Sequence, residues 1–200
     1  MKNDDGERVT CQCLDDIRLR RMFEMMGVPP KFRRADLSQF VPEARAGGTP
    51  FSDKRDIDLK WAARDAVEGY IDAIPSLLAG SFLRDGSNDQ YNSLLLEGGD
   101  NSGKSLLAAC ITIGGVKLRS RVKIFEWSQL LGSCYDFEGD EYHDLTREMN
   151  RKDQIVVIEN VDEMYEHTGS QMGLPAAVLR RLNAMFMKRW KIGIPTVVTS

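Results

Sequence analysis

From residue 91 onward, short apolar runs alternate with longer segments whose apolar residues recur at helical spacing. The apolar runs are "SLLLEGG" at 93–99, "VKIFEW" at 122–127, "QIVVIEN" at 154–160 and "IPTVVTS" at 194–200. Between them, "GKSLLAACITIGG" and "AAVLRRLNAMFMKRW" have the pattern of helices. Strands that alternate with helices form parallel crossover units, and uninterrupted apolar strands are covered on both faces. The pattern therefore predicts a three-layer α/β fold with a parallel sheet.

The first 50 residues have a different pattern. The stretch "CLDDIRLRRMFEMMG" carries acids early and arginines later, which predicts a helix that ends at Gly27. The following "VPPKFRRADLSQFVPEARAGGTP" holds four of the seven prolines and predicts an extended surface connection. Residues 1–50 are too few for a core of their own, so they are interpreted as a lead-in. Residues 51–200 form the predicted core domain, in which another helix runs from about Asp56 to Ile74.

Composition and charge exclude several classes of protein. The chain is 42% hydrophobic and 28% charged with a net charge of -3, which is ordinary for a globular protein and gives no general attraction to nucleic acid. No apolar stretch approaches a membrane span of about 18 residues, and the polar amino terminus is unlike a signal peptide. We therefore expect a cytoplasmic protein with no membrane contact.

The four cysteines indicate neither a disulfide framework nor a complete metal site. Cys11 and Cys13 form a C-x-C pair, while Cys110 and Cys134 lie in apolar segments. Two thiolates supply half of a tetrahedral zinc site, and no second pair or nearby histidine completes it. Zinc binding by this chain alone is therefore not expected.

The segment from Gly98 to Ser105, "GGDNSGKS", fits the phosphate-loop pattern G-x-x-x-x-G-K-[ST] and lies between a predicted strand and a predicted helix. Its backbone N–H groups, together with the start of the helix, suit phosphate oxygens. We expect Lys104 to neutralise the β and γ phosphates and the Ser105 hydroxyl to bind Mg²⁺. The predicted nucleotide-binding residues are Gly98, Gly99, Asp100, Asn101, Ser102, Gly103, Lys104, Ser105 and Leu106.

A second candidate feature is the acidic end of the run "IVVIENVDE". Glu159 follows four apolar residues, at the strand end where open α/β sheets bind ligands, and is predicted to hold Mg²⁺ together with Ser105. Asn160 follows it and cannot act as a general base, although its amide can orient water. Asp162 and Glu163 are the alternative catalytic candidates and equally suit a solvated loop. Slow ATP hydrolysis is expected.

With these motifs, the chain resembles the bacterial and phage replicative-helicase loaders of the DnaC and DnaI type, within the AAA+ superfamily. The related transposition ATPases of the IstB type are also similar. The resemblance covers about residues 11–200 and is most specific in the lead-in, where "GVPPKFR" is similar to a G-[IV]-P-x-[KR]-[FY]-R pattern, and in "WSQLL" after the second strand.

The resemblance implies an AAA+ core that binds ATP and Mg²⁺, with Asn160 in the usual acidic catalytic position. It also implies that the lead-in around 28–33 lies near the adenine base. Such ATPases continue with a polar sensor residue, another strand and an arginine finger; none follows Ser200, so the core is expected to be truncated after the sensor-1-type strand. The implied partners are a hexameric replicative helicase, single-stranded DNA, and a second copy bound through the ATP interface.

Several alternatives stay open. The chain could be an IstB-like regulator of a transposase that binds ATP with little turnover, or a small-molecule phosphotransferase, although no lid with phosphate-clamping arginines is evident. The stretch at 128–153 is either a connecting helix with core aromatics or a DNA-binding surface, which its many acids disfavour. The basic residues on or just after the last predicted helix are Arg180, Arg181, Lys188, Arg189 and Lys191. Most of these five are expected to lie on an exposed face.

Overall fold

A parallel four-stranded sheet with the order β1-β4-β3-β2 forms the centre of the fold. The computed structural model describes residues 12–26, 28–30, 33–42, 54–79, 92–136, 138–161 and 174–200. The strands are β1 (Ser93–Leu96), β2 (Arg121–Glu126), β3 (Gln154–Glu159) and β4 (Thr196–Thr199). The helices are α1 (Gln12–Met25), α2 (Lys54–Ala79), α3 (Lys104–Lys117), α4 (Trp127–Tyr135), α5 (Asp140–Met149) and α6 (Ala176–Lys191). The predicted parallel α/β fold is confirmed.

Side chains of β3 alternate between two hydrophobic clusters on opposite faces of the sheet. Ile155 and Val157 pack with residues of α1, α2 and α3, whereas Val156 and Ile158 pack with residues of α4, α5 and α6. Successive side chains of a strand point to opposite faces, so a strand buried on both sides must be apolar throughout. This double burial explains the uninterrupted run "IVVI" and gives the three layers.

Helix α2 is longer than the sequence predicted. It begins at Lys54 and ends at Ala79, so it continues past Ile74 with Pro75 inside it. A proline removes one helical hydrogen bond and usually ends or kinks a helix, at a cost of about 3 kcal/mol. Here the turn beyond the proline places Leu77 in the core, and its burial offsets part of that cost.

Two predicted connections have more structure than expected. The stretch between β2 and β3 contains two helices, α4 and α5, with Gly139 at the start of the second. The lead-in contains a 3-10 helix at Leu37–Gln39, and the side chain of Asp36 accepts a hydrogen bond from the Ser38 N–H at its start. Phe40 then enters the core with 5% of its surface exposed, so this part of the lead-in is a packed element and the predicted extended connection was wrong here.

Arg189 is the exception among the basic residues of α6. Only 1% of its surface is exposed, although the sequence suggested a solvated charge. Its guanidinium donates to the carbonyls of Met149 (2.5 Å), Gln154 (3.2 Å) and Pro195 (2.7 Å) and to Thr196 Oγ1 (2.9 Å). Burial lowers the pKa of Arg189 to about 10, which leaves it cationic at neutral pH. Arg189 therefore ties α6 to the end of α5 and to the starts of β3 and β4.

None of the described helices contains an apolar stretch that could span a lipid bilayer.

Candidate phosphate-binding site

The segment from Gly98 to Gly103 forms a loop that joins β1 to the first turn of α3, as the motif predicted. Asn101 and Gly103 have positive φ angles of 58° and 97°. Gly103 is the residue just before α3, and a Cβ built on it would lie 2.5 Å from Phe40 Cε2. Glycine at 103 is therefore required both by its left-handed backbone and by the ring packed against it.

Helix α3 begins at this loop without a side-chain cap. Its first internal bond runs from the Leu107 N–H to the Gly103 carbonyl at 3.0 Å, so Ser105 and Leu106 lie in the first turn, where N–H groups have no helical acceptor. Such a helix start carries a partial positive charge of roughly half a unit. The arrangement suits a bound anion.

The Lys104 side chain contacts the backbone at the start of the loop. Its ammonium group donates to the Gly98 carbonyl and to the Gly99 carbonyl, the latter at 3.2 Å. The loop is also tied to the sheet, because the Gly98 N–H donates to the Ser200 carbonyl at 3.1 Å and the Ser200 N–H donates to the Leu96 carbonyl at 2.9 Å. The Lys104 ammonium group and the uncapped start of α3 therefore both lie at this loop.

A cavity of about 790 Å³ opens between the loop and α2. Phe40 and the α2 residues Leu59, Lys60 and Ala63 line one side, and the residues Gly98 to Ser102 together with Lys104 line the other. Its volume lies within the roughly 300–1,000 Å³ of small-molecule sites. Ser105 and Glu159 are not among its lining residues, so the cavity extends from the loop on the side away from the β3 end.

The acidic strand end lies at the same edge of the sheet as the loop, because β1 and β3 run in parallel through β4. Glu159 is the last residue of β3 and has 6% of its surface exposed. Asn160 leaves the strand with a φ of 62°, and its N–H donates to Thr199 Oγ1 at 3.2 Å. The Val161 N–H donates to the Thr199 carbonyl at 3.0 Å, which anchors this turn to β4.

One acid at this edge was missed by the sequence analysis. Glu126 ends β2 in register with Glu159, and its Oε2 accepts a hydrogen bond from Asn160 Nδ2 at 3.1 Å. Its position after the apolar run "VKIF" mirrors that of Glu159 after "IVVI", and this parallel was the available signal. Glu126 is exposed, whereas Glu159 is buried.

The predicted site residues thus fall into two groups. The loop residues, Glu159 and Asn160 lie along one sheet edge, and the oxygen donors Ser105 and Glu159 are of the chemical type that Mg²⁺ binds. Asp162, Glu163 and Cys11 lie outside the described residues. In the described part of the chain, His, Cys, Asp and Glu side chains by themselves form no cluster of three or more that could hold a metal ion.

Comparisons with known proteins identify the fold. No protein-family model matches the sequence, and no curated protein is similar to it. AMPPCP-bound DnaA from Aquifex aeolicus is similar with a TM-score of 0.53 at 12% identity, over 86% of this chain and 43% of that chain. Replication initiator DnaA bound to AMPPCP and single-stranded DNA gives 0.55 at 13% identity, over 86% of this chain and 42% of that chain. This chain therefore spans less than half the length of these DnaA chains, and it shares their parallel α/β fold.

Proposed function

We propose that this chain binds ATP at the loop Gly98–Ser105 and acts in DNA replication as a helicase loader. The observation that carries the proposal is the position of the Lys104 ammonium group, which lies beside the Gly98 and Gly99 carbonyls at the uncapped start of α3. A triphosphate would replace those carbonyls as the partner of the cation. Each such charge-assisted hydrogen bond contributes about 1.5–3 kcal/mol.

The residues present also suit the magnesium ion that accompanies ATP. Ser105 and Glu159 would hold it, and when bound it would offset the negative charge of the β and γ phosphates. Glu159 is suited to this role because a buried carboxylate is stabilised by a nearby cation. The base and ribose of ATP would occupy the cavity between the loop and α2, next to Phe40.

The nucleotide would act as an assembly switch. The chain and its partners would have two arrangements, and ATP would favour the one in which the loop binds it more tightly. Slow hydrolysis of the ATP would then release the partners. The similarity in fold to DnaA chains, one of which was solved with AMPPCP and single-stranded DNA, supports a replication role that includes contact with single-stranded DNA. A hexameric replicative helicase and a second copy of this chain complete the proposed set of partners.

Titration with a fluorescent ATP analogue tests the binding step. Lys104→Ala should weaken binding in the presence of Mg²⁺ by more than tenfold, which follows from the loss of at least one charge-assisted bond. Lys152→Ala removes an exposed lysine from the turn before β3 and serves as the matched control, with affinity unchanged. Equal affinity of Lys104→Ala and wild type would disprove binding at this loop.

Co-purification tests the partner. Capture of a hexameric replicative helicase from the source cell, strengthened by ATP and lost in Lys104→Ala, is the expected result. Capture of a transposase would instead favour the IstB-like regulator, the alternative that the amide of Asn160 in the catalytic position supports. Phosphorylation of a metabolite by the purified protein would favour the phosphotransferase.

A further inference from the structure

The Asn160 amide and the Glu126 carboxylate form a pair between the ends of β3 and β2, with Nδ2 and Oε2 3.1 Å apart. The orientation of the amide follows from its partner, because an ionised carboxylate only accepts hydrogen bonds and must therefore face the NH₂ group. The position predicted to activate water thus holds an amide whose donor is directed at an acid on the next strand.

The backbone fixes this amide. Asn160 adopts a left-handed conformation, which asparagine tolerates better than most residues, and its N–H donates to Thr199 Oγ1 at 3.2 Å. The N–H of the next residue, Val161, donates a hydrogen bond to the Thr199 carbonyl at 3.0 Å. Because β4 holds Asn160 on one side, its side chain can hold Glu126 on the other.

The hydrogen bond also sets the direction of the Glu126 side chain. In the described sheet β2 is an edge strand and β1, which leads to the phosphate loop, lies three strands away. By contacting Asn160, the carboxylate leans from β2 toward β3, which is the direction of the loop. Glu159, its partner in the strand register, is buried, whereas Glu126 is exposed and can contact water.

We propose that Glu126 is the catalytic carboxylate of ATP hydrolysis and that Asn160 is its positioning residue. The inference rests on the proposed ATP binding at the loop. Oε2 is held by Asn160, and Oε1 accepts a proton from water as the water oxygen bonds to the γ phosphorus. The bond from that phosphorus to the bridging oxygen breaks, its electron pair leaves with ADP, and Glu126 then releases the proton to phosphate.

The test measures ATP affinity and turnover separately. Glu126→Gln should lower kcat by about a hundredfold, in line with the loss of a general base, while the Kd for ATP stays within about twofold. Asn160→Ala should lower kcat less than Glu126→Gln does and leave KM nearly constant, because it removes the amide that positions Glu126 and keeps the Glu126 carboxylate. Glu141→Gln changes an exposed acid in the first turn of α5 and should alter neither quantity.

An exchange of the pair gives a second readout. Glu126→Gln combined with Asn160→Glu places the amide at the end of β2 and the carboxylate at the end of β3, so the pair is restored with its two groups exchanged. Turnover should therefore rise above that of Glu126→Gln alone. A double variant no faster than Glu126→Gln, or a Glu126→Gln protein as fast as wild type, would overturn the inference. Wild type that binds ATP without turnover would also overturn it and leave the proposed binding intact, whereas wild type that does not bind ATP would refute the proposed function itself.

Discussion

The ring of Phe40 lies against Gly103, so that a Cβ at position 103 would be 2.5 Å from Cε2 and 2.9 Å from Cδ2 of the ring. The lead-in therefore supports the phosphate loop at the residue where the backbone turns into α3. This contact joins the most specific part of the sequence motif to a segment about 60 residues earlier in the chain.

Gly103→Ala should damage both stability and nucleotide binding. A left-handed backbone costs a non-glycine residue about 1–2 kcal/mol, and overpacking against a ring adds about 1–3 kcal/mol. Urea denaturation and analogue titration measure the two effects. Gly132→Ala is the control, because Gly132 lies in α4 with nothing near its missing Cβ, and alanine there should stabilise the protein by about 0.5–1 kcal/mol.

A double-mutant cycle isolates the ring contact. If Phe40 is the obstacle, Gly103→Ala should cost less in a Phe40→Ala background than in wild type. The remaining cost would then reflect the backbone conformation alone. The same cost in both backgrounds would contradict a steric role for Phe40.

Glu159→Gln should weaken ATP binding only when Mg²⁺ is present. The change keeps the size of the buried side chain and removes its charge, so the expected rise in Kd is about tenfold, equal to about 1.4 kcal/mol. Titration in Mg²⁺ and in EDTA, with wild type in parallel, separates the metal-dependent part. An equal loss in both conditions would show that Glu159 supports the fold rather than the metal.

Arg189→Met should destabilise the protein strongly. It would leave the carbonyls of Met149, Gln154 and Pro195 without their buried donor, and each unsatisfied buried group costs about 1–3 kcal/mol. Denaturation midpoints are compared with those of Arg180→Met on the exposed side of α6, where a change within about 0.5 kcal/mol is expected. Similar midpoints for the two variants would mean that the buried guanidinium is dispensable.

Alkaline pH should destabilise the fold through Cys110. Burial raises the pKa of its thiol to about 11, above the ordinary thiol value of 9.0, so between these values the unfolded chain loses a proton that the folded protein keeps. The contribution of Cys110 to the free energy of unfolding should therefore fall as pH rises from about 9 to 11. Burial also raises the pKa of Cys134, and the same direction applies there.

Thiol labelling at pH 8 gives an independent check of this burial. In a Cys11→Ser and Cys13→Ser background, Cys110 and Cys134 should not react in the native state and should both react in guanidinium, because thiolate is the reactive form. Rapid labelling of the native protein would contradict the placement of either thiol.

The sequence predicted the parts of the fold that depend on local pattern. The apolar runs form β1 to β4, and the phosphate-loop motif forms a loop between β1 and α3. Both features could be predicted because the burial of a strand and the positions of glycines in a loop are visible in a short stretch of sequence. The helix predicted to end at about Ile74 continues through Pro75, and the burial of Leu77 beyond it depends on distant partners. A short pattern could not contain that information.

The errors in the placement of Arg189 and Glu126 have the same origin. The burial of Arg189 depends on carbonyls that lie up to 40 residues away, and the contact of Glu126 with Asn160 spans 34 residues. A charged residue on a helix is solvated in most proteins, so only the tertiary arrangement reveals the exception. The contact between Glu126 and Asn160 could not be predicted because the sequence did not reveal the strand order that places β2 beside β3.

The central position of β4 has a consequence for how the protein is made. Residue 93 pairs with residue 196, and β4 is the strand that connects β1 to β3. Until the ribosome has released residues 196–199, β1 lacks this neighbour and the hydrogen-bonding edges of β1 and β3 stay open. Long-range pairing of this kind folds slowly and exposes strand edges to aggregation. Nascent chains stalled before Pro195 should therefore need chaperones that chains containing β4 do not.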